Sequence, residues 1–201
     1  MAILSVEKLE KRFGRVIALK GVDIVLEKPG VYGFLGPNGA GKTTTFKLIG
    51  GLLRPTSGRI MIEGVDVGTD TARAVSKLGI LFDQPAYYPY LSGMENLSVF
   101  SRWMGMGDTK RPARLLDIVG LGGAGEKKVG GYSWGMKRRL GIAASLLGDP
   151  AVLLLDEPTN GLDPAGIADM RKLLPRLAWE EGRTVLLSSH RMEAVSYTHL
   201  R

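Results

Sequence analysis

The chain has 201 residues, 44% hydrophobic and 23% charged, with 28 Gly and no Cys. It is long enough to bury roughly 70% of its unfolded surface without a covalent staple, and the missing cysteines exclude disulfides, thiolate catalysis and cysteine-ligated zinc. The formal charge of +7 suits nucleic acid, an anionic membrane surface or an acidic ligand, while no run approaches the roughly 18 apolar residues of a membrane span and residues 1–20 carry no signal-peptide core.

In chain order, Ile3–Val6 and the alternation Val22, Ile24, Leu26 predict strands with one buried face. Val31–Leu35 is a short apolar run entering a Gly-rich turn, and Lys42–Leu52 then takes a helical rhythm. Arg59–Glu63, after the turn Pro55–Gly58, and Leu78–Phe82 are further strands. From Pro85 to about Leu147 the pattern is helical. Ser92-Gly-Met-Glu95 forms a capping box there, with Met94, Leu97, Phe100, Ser101 and Met104 at helical spacing. Between Asp108 and Arg139, eight basic residues face three acidic ones, a pattern expected of a solvated helical face. Ala151–Leu155 is a continuous apolar run, hence a strand buried on both faces. A helix near Ala165–Glu181 and a strand at Thr184–Ser188 follow. Strands alternating with helices predict an α/β fold with a parallel sheet and a helical insert between Pro85 and Leu147.

Two segments carry chemistry. Gly36, Pro37, Asn38, Gly39, Ala40, Gly41, Lys42 and Thr43 fit the spacing G-x-x-x-x-G-K-[ST] between a strand and a helix. Glycines there let successive N–H groups turn inward around phosphate oxygens, and the next helix adds its positive end. Lys42 would neutralise β- and γ-phosphates and the Thr43 hydroxyl would take one place on Mg²⁺. The apolar strand ending in Asp156 and Glu157 supplies the complement. Asp156 would hold Mg²⁺ through water, and Glu157 would accept a proton from an attacking water.

Further segments narrow the class: Phe82-Asp-Gln-Pro85, Tyr132-Ser-Trp-Gly-Met-Lys-Arg-Arg-Leu140, Thr159-Asn-Gly-Leu-Asp-Pro164 and Ser188-Ser-His190. In this order they resemble the nucleotide-binding subunit of an ABC transporter, from about residue 2 to His190. The resemblance implies a P-loop NTPase core with a mainly parallel sheet, an N-terminal antiparallel β subdomain and an inserted helical subdomain. The core and β subdomain would take about 1–84 and 148–194, the helical subdomain about 85–147. It implies that Phe13 stacks on adenine and that Gly36–Thr44, including Thr44, holds ATP. Gln84 would touch Mg²⁺ and the lytic water, with Glu157 as base and His190 as switch histidine. Ser133, Trp134, Gly135 and Met136 occupy the signature motif, which acts on ATP held by the opposite protomer, and Asp163 lies in the loop joining the two sites. The implied cofactors are ATP and Mg²⁺. The implied partners are a membrane-spanning permease and a second ATPase, identical or related, in a head-to-tail dimer on the cytoplasmic face of the cell membrane.

Two departures stand out. Trp134 replaces a glycine of the usual Leu-Ser-Gly-Gly-Gln signature, and the Tyr-Ser-x-Gly-Met variant resembles an export-type, multidrug- and antibiotic-like branch. Residues 195–201 do not resemble the family and look like an adapter-derived read-through, so the chain is expected to be C-terminally truncated. Tyr87, Tyr88, Tyr90, Leu91 and Trp103 are expected to put aromatic groups on the surface, either packing a loop or forming a groove for a short helix of a membrane partner. The rival readings are an ABC-type ATPase acting on DNA or ribosomes, a generic P-loop kinase and a non-hydrolysing regulatory subunit. The short interval between Lys42 and Ser133 leaves no room for the long coiled coil of the DNA-repair forms, and no nucleic acid partner is expected.

Overall fold

The computed structural model describes residues 1–82 and 86–190. Two four-stranded sheets organise the chain. The first is antiparallel, with strands β1 (Leu4–Phe13), β2 (Val16–Leu26), β4 (Ser57–Ile62) and β5 (Val65–Asp66) in the order β2-β1-β4-β5. The second is parallel, with β3 (Gly30–Leu35), β6 (Leu78–Leu81), β7 (Val152–Leu155) and β8 (Thr184–Ser189) in the order β3-β8-β7-β6.

β1 and β2 run further than the alternation in the sequence indicates. The register of β1 slips between Val6 and Leu9, where Lys8 takes a positive φ of 44°. A bulge inserts one residue and puts Leu9, like Val6, back on the buried face. Strict period-two counting stops at such a point, so the sequence reading ends the strand early.

The continuous apolar run of β7 is explained by its position between two cores. Leu153 and Leu155 pack with Leu140, Leu174 and Leu187 on one side. Val152 and Leu154 pack with Phe46, Leu48 and Ile60 on the other. Helix α1 (Lys42–Ile49) belongs to the second core, between the two sheets, and presents Phe46, Leu48 and Ile49, all fully buried. Helix α6 (Pro164–Trp179) covers the opposite face with Met170, Leu174 and Leu177. A short helix α2 (Thr71–Val75) is capped by the Asp70 side chain.

Between β6 and β7 come α3 (Gly93–Trp103), α4 (Arg111–Ile118) and α5 (Trp134–Ser145). The capping box at the start of α3 is formed as expected: Glu95 N–H donates to Ser92 Oγ, and Ser92 N–H donates to the Glu95 carboxylate. Gly79 of β6 lies against the Ser145 carbonyl, where a Cβ would collide, so its lack of a side chain lets α5 close on the sheet. No described helix is long and apolar enough to cross a membrane.

Parallel register has a direct consequence for function. Leu35 pairs with Ser189, and Leu155 with Leu187. The residues that follow β3 and β7 therefore emerge at one edge of the sheet, beside the end of β8, where open α/β sheets place ligands.

Candidate functional site

The loop Gly36–Gly41 leaves the end of β3 and closes onto α1. Gly36 N–H donates to the Ser189 carbonyl, and Ala40 N–H to the Pro37 carbonyl. Gly41 sits at φ 89°, and a Cβ there would lie 2.5 Å from Leu19 Cδ2 and 2.9 Å from the Ala18 carbonyl oxygen. Only glycine meets both demands. Helix α1 begins at Lys42 with no side-chain cap and no acidic residue in its own first turn, so its first N–H groups are left for an incoming anion.

Lys42 is buried at 7% exposure. Its ammonium donates to the Gly36 carbonyl at 2.7 Å and the Pro37 carbonyl at 3.1 Å, and lies 3.4 Å from Glu157 Oε1. Beside it, Thr43 Oγ1 donates to Asp156 Oδ2 at 2.7 Å. Ser188 Oγ donates to Asp156 Oδ1 at 2.6 Å and accepts from Glu157 N–H at 2.9 Å. Both oxygens of the buried Asp156 carboxylate are thus oriented by hydroxyls from two different elements.

Glu157 has a φ of 47°, in the left-handed region that costs a non-glycine residue about 1–2 kcal/mol. Its backbone is held on both sides. The N–H meets Ser188, while the carbonyl accepts from Asn160 N–H at 3.0 Å and from Arg138 Nη2 at 3.0 Å. This turn aims the carboxylate between Lys42 and His190, whose Nδ1 is 3.0 Å from Glu157 Oε2.

The groove beside the loop is lined by Asn38, Gly39, Gly41, Lys42, Thr43, Thr44 and Glu157 on one side and by Val16, Ile17 and Ala18 of β2 on the other. Those three β2 residues are absent from the sequence-based site. Nothing in the sequence marks them, because the exposure of the large apolar Val16 and Ile17 is visible only in the fold. Phe13 ends β1 as an exposed residue with Lys11 Nζ 5.0 Å from its ring centroid, and it does not line this groove.

The residues expected to form the signature motif lie elsewhere in the chain's own fold. Ser133 caps α5, accepting from Met136 N–H at 3.2 Å. Trp134 Nε1 donates to the Asn160 carbonyl at 3.1 Å, and Gly135 lies against Leu162. Asp163 caps α6 by accepting from Gly166 N–H at 2.9 Å. Ser133, Trp134, Gly135, Met136 and Asp163 line no part of the groove around Lys42. Gln84 lies outside the described residues.

One expectation needs correction. Arg138, counted in the basic stretch as part of a solvated face, is 1% exposed and donates to the carbonyls of Phe82 and Glu157. Of the two readings of the aromatic group, Tyr87 follows the loop-packing one, its hydroxyl donating to the Lys137 carbonyl at 2.9 Å, and it also lines the groove with Phe100, Trp103 and Met104. Burial pushes this phenol well above the usual tyrosine range, against the nearby Arg138 charge, and keeps it a neutral donor. Tyr90 and Trp103 do stay exposed, and Tyr88 packs at 5.8 Å and 6.1 Å from their ring centroids.

A parallel sheet whose first strand runs through a glycine loop into a helix, with a lysine and a hydroxyl beside a paired carboxylate, defines a P-loop NTPase fold. The ABC transporter family matches residues 19–160. The chain is 42% identical over 188 residues to the bacitracin transport ATP-binding protein of Bacillus licheniformis, covering 94% of this chain and 61% of that protein. It is 40% identical over 196 residues to a lantibiotic transport ATP-binding protein of Streptococcus pyogenes, covering 97% of this chain and 83% of that one. Among solved structures, a dimeric ATP-binding cassette in a post-hydrolysis state with ADP and phosphate superposes with a TM-score of 0.83 at 26% identity, covering 97% of this chain and 91% of that one. The chain belongs to the ABC transporter family. It spans less than two thirds of the length of the bacitracin relative and of several other curated relatives it matches.

Proposed function

We propose that the chain binds and hydrolyses ATP with Mg²⁺, and so powers export through a separate membrane permease. The observation that carries this reading is the convergence of five side chains at one sheet edge, with Lys42 and His190 at 3.4 Å and 3.0 Å from the Glu157 carboxylate and Thr43 at 2.7 Å from Asp156. The loop N–H groups and the α1 end receive phosphate oxygens. Lys42, now bonded to two loop carbonyls and near Glu157, exchanges those partners for β- and γ-phosphate oxygens.

The Thr43 hydroxyl and Asp156 carboxylate, 2.7 Å apart, form a hard oxygen pair of the kind that suits Mg²⁺, an ion that keeps several waters. Thr43, Asp156 and Gln84 would hold it, and when bound it neutralises charge on the transferring phosphoryl group. Glu157 accepts the proton of the attacking water. Its Oε2 is oriented by His190, and its backbone cannot swing while Ser188, Asn160 and Arg138 hold it.

Ser133 and Gly135 at the start of α5 complete the site of a partner protomer in a head-to-tail dimer, as the dimeric cassette relative supports. The aromatic groups Tyr88, Tyr90 and Trp103, with Phe100 and Met104, form the surface that receives the permease on the cytoplasmic side. The bacitracin transport and lantibiotic transport relatives support the export reading.

The test is phosphate release from ATP with Mg²⁺ for the wild type and Lys42→Ala. The wild type turns over, and the variant loses ATP affinity. An inactive wild type, or a variant with unchanged affinity, would refute the reading. The transport half is checked by expressing the chain with the products of its neighbouring reading frames. Recovery with membranes supports it, and recovery only from the soluble fraction refutes it.

A further inference from the structure

Trp134 stands where the family signature usually has a glycine, and its indole lies against both groups that hold the Glu157 carbonyl. Its Nε1–H donates to the carbonyl of Asn160, whose own N–H donates to Glu157 O. Its ring lies 5.8 Å from the Arg138 guanidinium carbon, and Arg138 Nη2 donates to the same Glu157 oxygen. A cation held over an indole face is attracted to it, more so when buried. The loop is shaped for this ring. Gly161 takes a φ of 73°, and a Cβ there would lie 3.0 Å from Trp134 Nε1 and 3.4 Å from Cδ1.

We infer that Trp134 is a positioning residue for Glu157, acting within its own protomer through Asn160 and Arg138. The inference rests on the ATP-hydrolysis reading above. Glu157 occupies a left-handed turn that relaxes unless its carbonyl is held, and relaxation moves the carboxylate away from His190 and the lytic water. The indole keeps both donors in place. A small shift of a reacting group lowers turnover far more than binding. The signature segment therefore has a task on its own side of the dimer besides meeting the partner's ATP.

Trp134 is 45% exposed and outside both hydrophobic cores, so its replacement leaves them intact. Trp134→Phe keeps a ring over Arg138 and removes the donor to Asn160, and Trp134→Gly removes both. The expected kcat falls are about threefold and about tenfold, with KM for ATP unchanged within about twofold. Gly161→Ala displaces the indole and, at a φ of 73°, strains the loop in either background, so it lowers kcat about tenfold in the wild type and by a clearly smaller factor, about threefold, in Trp134→Gly. The same non-additivity appears in the melting temperatures of the nucleotide-free protein, because the contact is made without ligand.

Multiplicative kcat effects with additive melting shifts would overturn the inference, as would Trp134 variants that lose ATP affinity in step with kcat. A wild type that does not hydrolyse ATP would overturn the ATPase reading and this role with it. An active wild type with independent effects overturns this role alone.

Discussion

Ser188→Ala removes one hydroxyl that serves two residues of the site. Ser188 is fully buried, and the Asp156 it supports is 3% exposed. Its loss takes a charge-assisted hydrogen bond of 2.6 Å from Asp156 Oδ1, worth about 1.5–3 kcal/mol. It also leaves Glu157 N–H without its acceptor, a further cost of about 1 kcal/mol or more. The two effects share one side chain, so we expect a total of about 3 kcal/mol. For a chain of this size that is about 9 °C in Tm. Urea denaturation followed by circular dichroism reads it as a lower midpoint at unchanged slope. A loss below about 0.5 kcal/mol would refute the claim that Ser188 holds the two carboxylate residues in register.

Thr184→Val should act in the opposite direction. Thr184 is fully buried and its hydroxyl has no hydrogen-bond partner among the described residues, so an isosteric methyl should stabilise the chain by about 1 kcal/mol in the same urea assay. Asp149→Asn should lower the melting temperature at neutral pH only slightly. Hydrogen bonds from Arg111, then Arg183, hold the Asp149 carboxyl below the usual carboxylate range. The folded chain therefore binds this proton less tightly than the unfolded chain. Its stabilisation is complete above the unfolded value of about 3.9 and is lost as pH falls through the lowered folded value. Asp149 is 61% exposed, so solvent screening leaves about 0.5 kcal/mol or less. The gap between variant and wild type should hold from pH 7 to pH 5 and begin to narrow only below about pH 3.9.

What the sequence disclosed depended on whether a feature is local. The glycine loop, Lys42, Thr43 and the Asp156–Glu157 pair sit in unbroken segments whose spacing carries their chemistry, and the structure brings them together at the expected sheet edge. The parallel strands were legible because β7 is apolar throughout, as a strand between two cores must be. The bulge at Lys8 was hidden because it breaks the alternation that strand reading relies on. Arg138 was hidden for another reason. Its partners, Phe82 and Glu157, are 56 and 19 residues away, and a buried arginine amid lysines and arginines looks like any surface charge. Ser188 was noted as a neighbour of His190, but its bonds to Asp156 and Glu157 exist only once β7 and β8 pair. Trp134 was visible only as a departure from pattern. Its fit against Gly161 depends on a loop brought to it by tertiary packing.

The most direct measurement is ATP turnover by Glu157→Gln alongside ATP binding by the same protein. The substitution keeps size and hydrogen-bonding shape but removes the proton acceptor between Lys42 and His190. ATP binding should be retained while turnover falls by at least about 10²-fold. Near-normal hydrolysis by this variant would contradict the assignment of Glu157 as the base.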